Sequence, residues 1–433
     1  MDRELVALLG FVAMFALMAI RVPIGIAMGL IGITGFAVLT TVESGLNLLA
    51  NVPLAAVTDY DLMVIPLFIL MGAFASQSGM SRELFEAGRA WLGHRRGGLA
   101  SASILSCAGF AAINGSSVAT AATMSQVALP EMRASGYHAG FSAGLVAAGS
   151  TLGIMIPPSV IFVLYGVMTE TDISKLFAAG VVPGLIAVGF YFVLIQVVGY
   201  FRPESMPRGP RYAWADRWKS LGPLWGVGLL FVLVLGGMYS GWFLVQEAAA
   251  VGASGTLLIG VLRGRLRWTE IKAALLEALR VSSAIMTIVI GAFLFGYFLT
   301  VTQFTQHAVT TLTSLPIGPY GVLAVVLFGY FLLGAVMDEL AMILLTVPIV
   351  FPAMMQLGFD PIWFGVIIVM AVTFGMVCPP VGINVFVVNS IARDVSLSKI
   401  YRGTMPFIAV DTVRLVLLCA FPALSLWLPS QMG

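Results

Sequence analysis

Apolar stretches of roughly 17 to 25 residues recur from one end of the chain to the other, and this pattern constrains the fold more than any other. In lipid, backbone N–H and C=O groups are satisfied only inside helices or closed barrels. Runs of this length are helical spans, whereas an outer-membrane barrel shows a ten-residue alternation. The 433 residues are 60% hydrophobic and 10% charged, with a mean hydropathy of +1.02, values outside the range of a soluble protein of this length. The expected class is therefore an all-α integral membrane protein. The opening run MDRELVALLGFVAMFALMAI is too long for a signal-peptide core and lacks a small-residue cleavage site, so it is expected to be the first membrane helix. Cys107, Cys378 and Cys419 lie in apolar segments without CxxC spacing, which argues for packing and against a disulfide framework or zinc site.

The expected spans are 4–20, 23–40, 62–79, 138–168, 175–200, 221–240, 242–262, 282–302, 362–392 and 404–428. Two further apolar regions, 98–129 and 320–355, are interrupted by "AAINGSSVAT" and "GAVMDELAM". Their halves reach roughly 21 to 24 Å at the helical rise, short of a hydrocarbon core of ~30 Å. Each is expected to be a re-entrant hairpin. With the N-terminus outside (periplasmic), the inside loops hold 19 of the 22 Lys and Arg residues, leaving Arg3, Lys175 and Arg414. That bias matches the positive-inside rule.

Adding 222 to positions 130–174 brings eleven identical residues into register: Pro130, Met132, Gly136, Thr151, Gly153, Pro157, Pro158, Ile161, Val163, Asp172 and Ser174. "LMGAFA" at 70–75 likewise matches "VIGAFL" at 289–294. In the expected topology the two copies run in opposite senses, so the chain reads as two inverted-topology repeats. The expected divisions are N-terminal scaffold helices (1–60), repeat 1 (61–200), a basic loop with scaffold helices (201–281) and repeat 2 (282–433). Inverted repeats with broken helices are expected of secondary transporters, whose sites lie near the midplane.

Four breaks then carry the chemistry: the hairpin tips Asn114 to Ser117 and Gly334 to Glu339, and the interruptions "GSTLGIMIPPS" (149–159) and "AVTFGMVCPPVGIN" (371–384). A Pro-Pro pair inside a span forces unwound backbone, which in a membrane must be buried or line a wet cavity. Freed carbonyls with Ser, Thr, Asn and Asp oxygens suit a small cation such as Na⁺, and half-helix N-termini suit a carboxylate. The candidate ion ligands are Asn114, Ser116, Ser117, Ser150 and Thr151 in the first half and Asp338, Thr373, Gly375 and Asn384 in the second. Asp338 is the sharpest signal, because an intramembrane carboxylate is costly and marks a functional site by default. Glu339 projects from a different helix face, and its role stays open.

Other polar groups read as structural. Asp411 and Arg414 have helical ion-pair spacing. His94, His138 and His307 are too scattered for a metal or haem site. The segment 82–96 reads as an interfacial helix bracing the first hairpin, and 304–315 as its repeat-mate.

The motifs "NGSSVATAATM", "GSTLGIMIPPS", "VMDELAMILLTVPIVFP" and "GMVCPPVGINVFV" resemble the large membrane subunit of tripartite ATP-independent periplasmic (TRAP) transporters, over essentially the whole chain. The resemblance implies sodium-driven uptake of an organic acid by an elevator-like movement. It also implies two partners, a small four-helix membrane subunit, expected as a separate polypeptide, and a periplasmic solute-binding protein. Sodium sites are implied at Asn114 to Ser117 with Gly149 to Gly153, and at Gly334 and Asp338 with Thr373 to Asn384. Ser159 resembles a substrate-contacting position, beside Asn114, Pro157, Pro158, Pro379 and Pro380, and Val381 stands where a symmetric serine would fall.

The expected function is thus a subunit of a secondary active transporter in the bacterial inner membrane, with lipid around it and no nucleic-acid partner. Na⁺ is expected as coupling ion and no other cofactor. A stand-alone sodium-coupled carboxylate carrier of a related inverted-repeat family is the alternative. An enzyme or redox subunit would need a His or Cys constellation that the sequence does not display.

Overall fold

In the computed structural model, which describes residues 3–334 and 337–432, every regular element among the described residues is helical. Among the described residues seven helices are long and apolar enough to cross a membrane, and the pair Val42–Thr58 and Asp61–Gln77, bent by 62°, adds an eighth if taken as one span. Six of the seven coincide with expected crossings; the seventh, Glu339–Gln356, is the second limb of the second hairpin. Arg3–Ala19, Ile24–Leu39 and the broken pair Pro361–Val377 and Ile383–Ile391 supply the remaining expected spans. The protein is a multi-pass membrane protein.

Two elements differ from the expectation. Val42–Thr58 was not anticipated as a helix, because Glu43, Asn47, Asn51 and Pro53 dilute its hydropathy. Thr41 caps its start, accepting from the Ser44 N–H at 3.1 Å, and Gly45, Val52 and Ala56 form its buried stripe. Helix Trp268–Thr302 begins well before position 282, so most of the expected loop 263–280 is helical. Glu270 accepts from the Arg267 N–H at 2.9 Å and fixes that start.

The elements of the second half follow those of the first in order. Asp61–Gln77, the arm helix Met80–Leu92, the limbs Gly98–Asn114 and Ser117–Ala134, the broken helix Ala139–Thr169 and Ile173–Phe201 make up the first. The end of Trp268–Thr302, the arm helix Phe304–Thr313, the limbs Gly318–Gly334 and Glu339–Gln356, the pair Pro361–Val377 and Ile383–Ile391, and Leu397–Ala420 answer them. The arms break the symmetry. Met80–Leu92 packs chiefly on the first limb of its hairpin, as expected for a brace, whereas Phe304–Thr313 packs chiefly on the second limb of the other.

Glycines set the closest helix contacts. A Cβ at Gly25 would stand 2.6 Å from the Thr287 carbonyl oxygen, and one at Gly32 would stand 2.6 Å from that of Leu294, so Ile24–Leu39 meets Trp268–Thr302 backbone to backbone. Gly140 and Gly144 do the same against Gly403, joining the first broken helix to Leu397–Ala420. On that last helix Asp411 and Arg414 pair at 3.0 Å, as their spacing predicts, and both are buried. The Tyr191 hydroxyl donates to Asp411 at 2.7 Å.

Candidate functional site

The four breaks converge on one cavity of ≈ 610 Å³. Its wall contains the start of each post-break helix: Ser116 and Val118 of the first hairpin, Val160 after the first Pro-Pro pair, Asp338 and Glu339 of the second hairpin, and Ile383 after the second. Four half-helix N-termini therefore face one space, each carrying roughly half a positive charge from the aligned peptide dipoles. Helix Trp268–Thr302 closes the remaining side with Glu277, Arg280, Val281, Ala284, Ile285 and Ile288. A second depression of ≈ 680 Å³, near the other end of that helix, is bordered by Asp59, Gln303 and Gln306 and by none of the hairpin-tip residues.

Local chemistry explains the turns. Gly115 ends the first limb at φ +63°, a left-handed conformation that a side chain disfavours, and a Cβ there would meet the Pro158 carbonyl oxygen at 2.6 Å. Ser116 then caps the next helix, accepting from the Ala119 N–H at 3.4 Å. Asp338 plays the same part in the second hairpin, accepting from the Ala341 N–H at 2.7 Å. The Pro157-Pro158 and Pro379-Pro380 bonds are both cis. Ile383–Ile391 starts after Gly382 with no side-chain cap.

Backbone meets backbone where the hairpin tips touch the broken helices. A Cβ at Gly153 would lie 2.9 Å from the Ser116 carbonyl oxygen, and one at Gly375 would lie 2.6 Å from the Gly334 Cα. These glycines are spacers that let peptide oxygens share a small volume. Gly149 instead faces Ile104 and Cys107 of the first limb, a packing contact.

The polar side chains divide differently from the expected halves. Asn384 comes from the second repeat, yet its Nδ2 donates to Ser117 Oγ at 2.6 Å, to Ser150 Oγ at 2.8 Å and to the Ala147 carbonyl at 3.3 Å. It belongs with the first hairpin tip and not with Asp338, because the unwound segment 378–382 swings Ile383–Ile391 across to Ser117–Ala134. Ser150 Oγ donates to the Ala147 carbonyl at 2.7 Å, Thr151 to Ala148 at 2.7 Å and Thr373 to Met370 at 2.6 Å. Among the described residues at the four breaks, three buried side-chain atoms have no protein partner: Asn114 Nδ2, Asn384 Oδ1 and Glu339 Oε2. Unsatisfied polar atoms at this depth are costly unless something else occupies them.

Of the expected substrate contacts, Asn114 borders the cavity, whereas Ser159, Pro157, Pro158, Pro379 and Pro380 are not brought to its wall. Ser159 is fully buried and its hydroxyl donates to the Ile154 carbonyl at 2.7 Å, which occupies it in turning the chain. Pro157 and Pro158 are buried, while Pro379 and Pro380 are exposed, with the Tyr401 hydroxyl 3.0 Å from the Pro380 carbonyl. Sequence reasoning missed Glu277, Arg280 and Gly72. The first two lay in a presumed loop, and their three-residue spacing on a helical face was the available signal. A Cβ at Gly72 would collide with the Asn114 amide, so the glycine makes room for it. Among the described residues no group of three or more His, Cys, Asp or Glu side chains is placed to hold a metal ion.

A helical multi-pass protein whose paired hairpins and broken helices open on one internal cavity is a membrane transport protein. The chain belongs to the family described as tripartite ATP-independent periplasmic transporter, DctM component, whose model matches residues 11–424. It is 40% identical over 376 residues to the C4-dicarboxylate TRAP transporter large permease protein DctM of Pseudomonas aeruginosa, covering 86% of this chain and 87% of that one. It is 32% identical over 431 residues to the isethionate TRAP transporter permease protein DctMQ of Oleidesulfovibrio alaskensis, covering 97% of this chain and 65% of that one. Among solved structures, the Alcanivorax borkumensis YdaH transporter shares the fold, with a TM-score of 0.60 at 14% identity, 88% of this chain and 89% of that one being covered. Its relatives are transport permeases, not enzymes.

Proposed function

We propose that this large permease couples uptake of a small organic acid to sodium moving down its own gradient, carrying the two hairpins and broken helices as one unit past the helix Trp268–Thr302. The observation that carries the reading is the set of four half-helix N-termini on a single cavity. Together they favour a bound anion. Arg280 on the opposing wall adds the one cation among the described side chains that line the cavity. The relatives are named for C4-dicarboxylate and isethionate, both small organic anions, which fits a ligand of that charge.

Sodium is the cation that the polar groups suit. The Ser117 and Ser150 hydroxyls, Asn384 Oδ1 and the Ser116 carbonyl beside Gly153 would supply hard oxygens for one site, and Asp338 with peptide oxygens near the Gly334 and Gly375 contact would supply the second. A cation at Asp338 would also offset the charge of an anionic substrate. A periplasmic solute-binding protein would deliver the substrate, and a small four-helix membrane subunit would accompany this chain in the inner membrane with the N-terminus periplasmic. The relative named DctMQ, longer than this chain, supports such pairing.

Proteoliposomes containing the three components test this. Uptake should follow an imposed inward sodium gradient and require the binding protein. Uptake indifferent to sodium would refute the coupling, and uptake by this chain alone would favour the stand-alone carrier.

A further inference from the structure

A separate recess of ≈ 610 Å³ lies at the basic end of the molecule, where the loop 202–213 crosses the turn before the first hairpin. Arg95, Arg96, Arg208 and Arg211 surround it with His94 and Gln196, and no carboxylate among the described residues lines it. Among the described residues, none of these four arginines takes part in an ion pair.

The walls are built. Gly209 N–H donates to the Gly93 carbonyl at 3.0 Å, and the fully buried Met206 packs at Gly97 and Gly199, so the loop is fastened to the turn. Behind it, Trp91 Nε1 donates to the Arg217 carbonyl at 3.0 Å. The Arg217 guanidinium lies 5.1 Å over the Trp214 ring and 3.5 Å from His94 Nδ1. Arg217 is only 7% exposed, and its Nε has no partner. Burial, and then Arg217, Arg95 and Arg211, hold the His94 imidazole below its ordinary value, as an uncompensated positive potential does.

Like charges gathered without a counter-charge repel one another unless an anion joins them. Aromatic residues on either side of the 202–213 loop indicate which anion. Tyr200, Phe201, Trp214 and Trp218 are 78%, 75%, 66% and 63% exposed, and exposed aromatic rings beside arginines are the pattern of a membrane–water boundary. We propose that this recess binds the phosphate headgroup of an anionic phospholipid, with the aromatic rim against its glycerol and upper acyl chain. The lipid would tie the loop between the repeats to the base of the first hairpin.

Native mass spectrometry of the full chain, delipidated in detergent and titrated with phosphatidylglycerol or phosphatidylcholine, tests the assignment. Wild type should retain phosphatidylglycerol in clear preference, and millimolar inorganic phosphate should not displace it. At about fivefold per basic residue, Arg95→Gln/Arg96→Gln and Arg208→Gln/Arg211→Gln should each weaken it by roughly 25-fold. Lys272→Gln/Lys399→Gln, exposed elsewhere, should not. Equal retention of the two lipids by wild type would overturn the proposal whether or not the variants fold. So would undiminished binding by both arginine variants, or displacement by inorganic phosphate, which would indicate a site for free anions.

Discussion

Asn384→Ala is the most discriminating change, because Asn384 is the one side chain that carries the second repeat into the first repeat's polar cluster. Its amide donates at 2.6 and 2.8 Å to Ser117 and Ser150, with a third, longer contact at 3.3 Å to the Ala147 carbonyl. Taking about 1 kcal/mol net for each of the two short bonds, the substitution removes about 2 kcal/mol from the arrangement that holds both hydroxyls in place. If that arrangement is the ion-bound one, the loss equals roughly a 30-fold rise in the sodium concentration for half-maximal uptake. The assay is initial uptake into proteoliposomes at graded external sodium, with insertion measured in parallel to separate folding from binding. A double-mutant cycle with Ser117→Ala should show coupling of about 1 kcal/mol, since each change breaks the same bond. A half-saturation within about threefold of wild type, at full insertion, would refute the placement of Asn384 in the ion site.

Three further outcomes follow from the geometry. Gly375→Ala, whose Cβ would sit 2.6 Å from the Gly334 Cα, should force the second hairpin tip off the broken helix at about 1–3 kcal/mol and lower uptake at normal membrane yield. Asp411→Asn should leave the Arg414 guanidinium buried beside no counter-charge, destabilising the protein by about 3–5 kcal/mol and lowering its thermal midpoint in detergent. Asp338→Ala should lose about 1 kcal/mol from the missing helix cap and, in the uptake assay, its sodium dependence; normal sodium dependence would leave Asp338 as a cap only.

Local signals make the hairpins and breaks legible in the sequence. "INGSS" and the paired prolines are punctuation that no uninterrupted span tolerates, and the observed limbs begin and end within a few residues of the expected positions. Val42–Thr58 is not legible from hydropathy, because its four polar or helix-breaking residues lower it; the Thr41 cap is the local signal that marks its start. The grouping of Asn384 could not be read at all. It depends on a partner 267 residues away in sequence, and a repeat offset aligns equivalent positions without saying which copies touch. Ser159 shows the opposite case, since its hydroxyl donates to a carbonyl only five residues away, a local bond that the Pro-Pro motif does not reveal. Glu339 is more deeply buried than Asp338, a rank that adjacency in the sequence does not reveal.

The glycine contacts of Gly25 and Gly32 against Trp268–Thr302, and of Gly140 and Gly144 against Gly403, have a mechanical meaning. Where two helices meet through bare peptide, there are no side chains to rotate and cushion a slide, so each contact behaves as a weld. The chain then has one weld in the part that borders the cavity from outside and another in the part that carries the breaks. A spectroscopic label pair placed across either weld should report a constant separation throughout the transport cycle, and so serve as the fixed ruler against which displacement of the rest is measured.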